Sequence, residues 1–276
     1  MGTGIAESAA AAGKQTIVFE PEEGPLARSR AQLERSTATA VSRGKLDDEE
    51  AARLLARVQY TTKLGDLARA EAVVEAIVED AAIKGELFER IDAQLPDLRF
   101  LASNTSSIPI AELGARTRHP EHVLGLHFFS PVPVMKLVEL VVALDTGEEA
   151  AAEAEAFARD IGKAPIRTKD RSGFIVNMLL VPYLMAAVRM FEEGFAGRED
   201  IDQGMKLGCG YPMGPLTLCD FIGIDVLYAV CNSLYEEFKQ PEYAPPPLLK
   251  RMVASGRLGR KSGYGFYPYP SEPGRA

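Results

Sequence analysis

Three histidines, His119, His122 and His127, are the side chains of this 276-residue sequence best suited to proton transfer near neutral pH. His119 and His122 sit in the polar turn TRHPEHV, where most such residues face solvent. His127 falls in the apolar run VLGLHFF, where a polar ring needs a partner. Ser130, Pro131, Val132 and Pro133 follow, and a strand pattern resumes at Lys136. If the two runs fold back as antiparallel strands centred on Pro133, residues whose numbers sum to 266 oppose one another. His127 then faces Glu139, with Cβ atoms roughly 4.5–5.5 Å apart. A carboxylate there orients one ring nitrogen and stabilises the imidazolium, while the other nitrogen serves to take a proton from a substrate hydroxyl. A structural His–Glu pair without chemistry is the alternative reading.

A group that removes a hydroxyl proton works best beside donors that hold the same oxygen. Ser106, in SNTSS, lies just past the end of a predicted parallel strand, where open α/β sheets place ligands. The competing role is a cap for the helix from Ile108 onward. Asn177 is a lone polar residue in FIVNMLL, either bonded to backbone in a core or aimed at a ligand between domains.

The chain opens Met1-Gly2-Thr3-Gly4, followed by an alanine-rich helix and the run QTIVFE ending in Glu20. This matches the rear half of a dinucleotide-binding unit. There, amides at a helix start hold the pyrophosphate, and an acid ending the next strand binds the ribose hydroxyls. Gly2 fits the third glycine of G-x-G-x-x-G; the first strand and two glycines would precede Met1, and a start upstream of Met1 is expected. Otherwise Gly2 and Gly4 merely mark a loose terminus, and Glu20 a solvated strand end. Glu20 would repel a 2′-phosphate, and no arginine follows within Pro21, Glu22 and Glu23, which favours NAD over NADP.

These groups need a scaffold. Strand and helix patterns alternate through residues 1–170: strands at 15–20, 58–64, 72–77, 99–104, 123–129, 136–144 and 165–168. Helices separate most of them, at 22–43, 47–57, 80–94, 108–113 and 148–161. That alternation implies a Rossmann-type, doubly wound, mostly parallel sheet. From residue 171 to 276 the pattern is helical: an apolar helix capped by Ser172 and kinked at Pro182, then 199–207, 216–238 and 247–255. The boundary is placed near Asp170. Lys and Arg number 31 against 39 Asp and Glu, a net charge of −8, which disfavours general nucleic-acid binding. Cys209, Cys219 and Cys231 are few, odd in number and scattered, which suits reduced thiols in a cytoplasmic protein and no metal site. The apolar run 174–191 holds Asn177, Pro182 and Arg189, so a buried helix is favoured over a membrane span.

Six segments in order, VVEAIVED (73–80), ASNTSSIPI (102–110), GLHFFSPVPVMKLVEL (125–140), DRSGFIVNMLLVPYL (170–184), GYPMGPL (210–216) and GRKSGYGFY (259–267), resemble the 3-hydroxyacyl-CoA dehydrogenases, most closely their bacterial 3-hydroxybutyryl-CoA members. The resemblance covers most of the chain. It implies NAD as cofactor, an acyl-CoA substrate, a role in fatty-acid metabolism, and a homodimer through a helical C-terminal domain. It makes His127 the general base and Glu139 its orienting partner, with Ser106 and Asn177 as polar contacts in the active site. It makes Glu20, Glu79, Lys84 and Lys261 cofactor contacts. Ser36 and Arg43 match coenzyme A contacts; Arg43 stands where a lysine is familiar and changes the geometry. Ser130 replaces a common asparagine at another cofactor position. From the residues alone, Lys84 also reads as a helix-surface lysine, and Arg28, Arg30, Arg35 and Arg43 as a solvated face. Rival functions are a non-catalytic protein of this fold and a dehydrogenase for a free hydroxy acid.

Overall fold

Short apolar strands between amphipathic helices dictate the first half of the chain. A computed structural model describes residues 1–270. Its first unit, Met1–Arg171, begins α1 (Gly2–Ala11), β1 (Thr16–Phe19), α2 (Glu23–Ser42), α3 (Asp48–Ala56) and β2 (Val58–Thr61). It continues β3 (Ala72–Glu75), α4 (Ala81–Gln94), β4 (Phe100–Ser103), α5 (Ile110–Gly114) and β5 (Val123–Phe128). It closes with β6 (Leu137–Val142), α6 (Glu148–Asp160) and β7 (Ala164–Lys169). The strand expected over 58–64 stops at Thr61, and Leu64–Arg69 forms a 3-10 helix instead. Asp47 starts α3 with a capping box: its carboxylate accepts from Glu50 N at 2.7 Å, and Glu50 accepts from Asp47 N at 2.9 Å.

The strands form two sheets: the parallel pair β1-β2, and β3-β4-β5-β6-β7. β1 and β3 do not pair with each other. Within the larger sheet every neighbouring pair is parallel except β5 and β6. Side chains alternate across a sheet. Leu124, Leu126, Phe128, Val138 and Leu140 therefore share one face, with Ile5 and Ala9 of α1 and the small residues Ala150, Ala151 and Ala154 of α6. Gly125, His127, Glu139 and Val141 take the other. A Cβ on Gly125 would stand 2.7 Å from the Val141 Cβ and 3.0 Å from Ile110 Cδ1, so α5 sits close over this face.

From Ser172 onward the second unit is helical: α7 (Val176–Glu192), α8 (Arg198–Cys209), α9 (Pro215–Ile222), α10 (Ile224–Phe238) and α11 (Pro247–Ala254). Two expectations fail here. The apolar helix expected just after Ser172 starts only at Val176, because Gly173 (φ +80°) and Phe174 (φ +49°) first turn the chain left-handed. The single helix read over 216–238 is two, bent by 97° at Gly223, whose φ of +102° no ordinary helical residue adopts. α7 itself runs on through Pro182. Two buried acids hold this unit's loops. Asp202 accepts from Leu216 N at 2.7 Å and Thr217 N at 3.0 Å, satisfying the start of α9. Asp220 accepts from Phe266 N, Tyr267 N and the Tyr269 hydroxyl at 2.8–3.0 Å, tying the GYGFY segment down. Among the described residues no single helix is long and apolar enough to cross a membrane.

Gly125→Ala forces a methyl group against Val141 in a strand where neither partner has room. The expected loss is about 1–3 kcal/mol, read as a lower denaturation midpoint for the first unit. An unchanged midpoint would contradict the close packing.

Candidate active site

The reversal between β5 and β6 sets the register of the site. Gly125 pairs with Val141, Leu126 with Leu140, His127 with Glu139 and Phe128 with Val138, each pair summing to 266 as the sequence predicts. His127 Nδ1 lies 2.7 Å from Glu139 Oε2. The histidine is 8% exposed and the glutamate 0%. A carboxylate this enclosed fixes the orientation of the ring through its Nδ1. The Phe129 ring packs against the imidazole with centroids 4.7 Å apart. The connecting turn is held from β7's side: Lys163 Nζ donates to Val132 O at 2.5 Å and Met135 O at 3.1 Å. Burial lowers the Lys163 ammonium below its ordinary pKa, with Glu7 of α1 opposing that shift.

The loop after β4 meets this reversal directly. Asn104 Oδ1 accepts from Phe128 N at 2.9 Å, next to His127. Beyond it, Glu79 gathers the loop: it accepts from Thr105 Oγ1 at 2.5 Å, Ser106 N at 3.1 Å and Ser107 Oγ at 3.0 Å. Burial alone would raise the Glu79 pKa, but the Thr105 hydrogen bond, the Lys84 charge and the Ser107 and Ser106 donors outweigh it and hold the carboxyl below its ordinary range. Lys84 is no surface lysine. It is 1% exposed, 2.6 Å from Glu75 Oε1 and 3.4 Å from Glu79 Oε2. Ser106, half-buried, is thus presented on a loop fixed at three points. Sequence reasoning missed Glu75, Ser103, Asn104 and Thr105; a polar run ending a buried strand was their only signal.

The start of α1 could hold the phosphates of a dinucleotide. No side chain caps that helix and its first turn carries no acid, so its amides and dipole are open to an anion. Gly2 lies close to the end of β3, where an added Cβ would sit 3.7 Å from Ala76 Cβ. At Gly4 an added Cβ would stand 3.0 Å from Val132 Cβ, which puts the reversal directly beside the helix. Glu20 follows β1 at its carboxyl end and is half-buried. Ser130 is exposed at the start of the reversal.

The other expected residues lie elsewhere. Ser36, half-buried on α2, donates to Glu7 Oε1 at 2.8 Å, and Arg43 is exposed at the end of that helix. Arg28, Arg30 and Arg35 are likewise exposed, with Arg30 stacked over Tyr60. Asn177, in the first turn of α7, and Lys261, paired with Asp225 at 2.6 Å, belong to the second unit. His119 is not simply solvated: its Nδ1 lies 2.8 Å from Asp92 Oδ1, which ties the turn to α4.

Comparison with known proteins adds the following. The profile described as "3-hydroxyacyl-CoA dehydrogenase, NAD binding domain" matches residues 1–171, and that of the "3-hydroxyacyl-CoA dehydrogenase, C-terminal domain" matches 173–269. The 3-hydroxybutyryl-CoA dehydrogenase of Mycobacterium tuberculosis is 52% identical over 271 residues, covering 98% of this chain and 95% of the relative. The human mitochondrial hydroxyacyl-coenzyme A dehydrogenase is 40% identical over 276 residues, covering 98% and 88%. The crystal structure of M. tuberculosis FadB2 superposes with a TM-score of 0.95 at 51% identity, covering 97% of this chain and 95% of the other. That of (S)-3-hydroxybutyryl-CoA dehydrogenase PaaH1 from Ralstonia eutropha gives 0.93 at 40% identity, covering 98% and 96%.

The lowered Glu79 pKa has a signed consequence. A carboxyl depressed in the fold adds stability that is fully present above its unfolded pKa and lost as pH falls through the folded one. Wild type is expected to be more stable than Glu79→Gln at neutral pH, with the gap closing as pH drops below about 4.3. Denaturant titrations across pH measure it; a gap that does not vary with pH would refute the depressed carboxyl.

Proposed function

The chain belongs to the 3-hydroxyacyl-CoA dehydrogenase family, and from that premise we propose how its residues divide the work. It is an NAD-dependent oxidoreductase that converts a 3-hydroxyacyl-CoA to the 3-oxoacyl-CoA. We assign 3-hydroxybutyryl-CoA, the (S) isomer, as the substrate, after the names its relatives carry.

When bound, NAD+ supplies the acceptor for the hydride that leaves carbon 3. His127 takes the proton of the 3-hydroxyl through Nε2, and Glu139 stabilises the resulting imidazolium through Nδ1. Ser106 donates to the reacting oxygen, and Asn177 completes its polar surroundings. The α1 amides beside Gly2 and Gly4 receive the pyrophosphate. Glu20 accepts from the adenosine ribose hydroxyls and disfavours a 2′-phosphate. Glu79, Ser130 and Lys261 serve the cofactor further along, while Ser36 and Arg43 meet the coenzyme A portion. The observation that most supports this division is the 2.7 Å His127–Glu139 contact, enclosed and directly opposed in the β5–β6 register.

Two copies pair through the second unit in this reading. Leu179, Phe195 and Leu207 there are 73%, 78% and 83% exposed in the single chain, an apolar surface that a second copy would cover. Three free thiols support a reducing, cytoplasmic setting.

His127→Ala is expected to cut NADH formation from 3-hydroxybutyryl-CoA by about 100- to 10,000-fold while keeping the wild-type circular dichroism. Near-normal turnover would sink the assignment. Arg43→Ala is expected to raise the KM for the acyl-CoA about tenfold and leave that for NAD+ unchanged; equal turnover of free 3-hydroxybutyrate would favour the hydroxy-acid rival. Light scattering should give twice the chain mass, reduced to one chain by Leu207→Asp with Phe195→Asp. A wild-type monomer would refute the pairing.

A further inference from the structure

Glu75 appears in no sequence expectation, yet its side chain is wholly enclosed at the end of β3. It accepts from Lys84 Nζ at 2.6 Å, Ser103 Oγ at 2.7 Å and Ile77 N at 2.6 Å. Lys84 comes from the first turns of α4, whose start is capped by Asp80. A buried acid–base pair is a poor way to gain stability, since an apolar pair of similar volume often does as well. This pair also has a third member. Lys84 reaches Glu79 Oε2 at 3.4 Å, and the Glu79 side chain is 41% exposed. Only at Glu79 does the network leave the interior, and there it grips the backbone and hydroxyls of the loop bearing Ser106. The ammonium, 1% exposed and shared by two carboxylates, is spent inside the protein rather than offered to a ligand.

We propose that Glu75 and Lys84 are positioning residues: the buried pair fixes the Glu79 carboxylate, and Glu79 fixes the 105–107 loop that presents Ser106 to the reacting oxygen. The role of Ser106 rests on the function proposed above; the mechanical link does not. In this network Lys84 acts on the site through Glu79.

The test uses the full chain as wild type, Lys84→Met, Glu75→Gln/Lys84→Met, Glu79→Gln and Glu79→Gln/Lys84→Met. The double variant at 75 and 84 removes both buried charges and protects against simple failure to fold. Hydrogen exchange read by mass spectrometry on peptides spanning 103–109 is expected to quicken about tenfold or more in the first two variants, with α6 and β7 unchanged. The kcat for 3-hydroxybutyryl-CoA should fall about tenfold or more, and NADH affinity, from fluorescence titration, should fall no further in Lys84→Met than in Glu79→Gln. In the Glu79→Gln background, Lys84→Met should add little to either the exchange or the kcat effect, because the link is already cut. Unchanged exchange at 103–109 overturns the proposal. So does a loss of NADH affinity much greater in Lys84→Met than in Glu79→Gln with kcat retained, which would make Lys84 a direct cofactor contact, or faster exchange throughout the first unit, which would make the pair merely structural. A wild type that forms no NADH would defeat the function proposed above, and the exchange comparison would still decide this one.

Discussion

One antiparallel pairing inside an otherwise parallel sheet carries the site. Because β6 runs against β5, a histidine near the end of one strand meets a glutamate near the start of the other with no loop between them to relax. Period-two alternation makes the arrangement unforgiving: a slip of one residue would turn Glu139 toward the alanines of α6 and put Leu140 on the face with His127. The register is defended on both sides. Gly125 leaves no space for anything but hydrogen beneath Val141, and the turn carbonyls of Val132 and Met135 are both occupied by one lysine.

Charge is handled throughout by enclosure in pairs. His127 with Glu139 joins β5 to β6, and Lys84 with Glu75 joins α4 to β3, two buried pairs of the first unit with β4 lying between their strands. They differ in kind. Imidazole is the side chain suited to proton transfer, whereas a lysine shared by two carboxylates suits anchorage. Asn104 links them, since its side chain binds the backbone next to His127 and its neighbour Thr105 binds Glu79. Chemistry and support therefore meet at the carboxyl ends of β3, β4 and β5, the edge where this class of sheet receives ligands.

The central pairing was readable in advance because two apolar runs flank a turn with few possible centres, and the antiparallel rule then assigns every partner. The anchoring network was not. Glu75 sits in VVEAIVED like any acid near a strand end, and its partners are nine and 28 residues away, beyond the reach of local patterning. Lys84 reads as a solvated helix position until α4 is laid against the sheet. In the second unit the apolar period runs through Gly223 without interruption, so only the backbone angle reveals two helices. The apolar period likewise runs back to Phe174, but the left-handed turn at Gly173 and Phe174 delays the helix to Val176. In each case a tertiary demand overrode a sound local preference.

The approach of Gly4 to Val132 has a mechanical corollary. The first helix leans on the same turn whose other side is gripped by Lys163, so that turn is clamped between two elements far apart in sequence. A larger side chain at position 4 would press on Val132 and displace the turn that joins the imidazole strand to the carboxylate strand, so the smallness of that residue is a condition of the site's geometry.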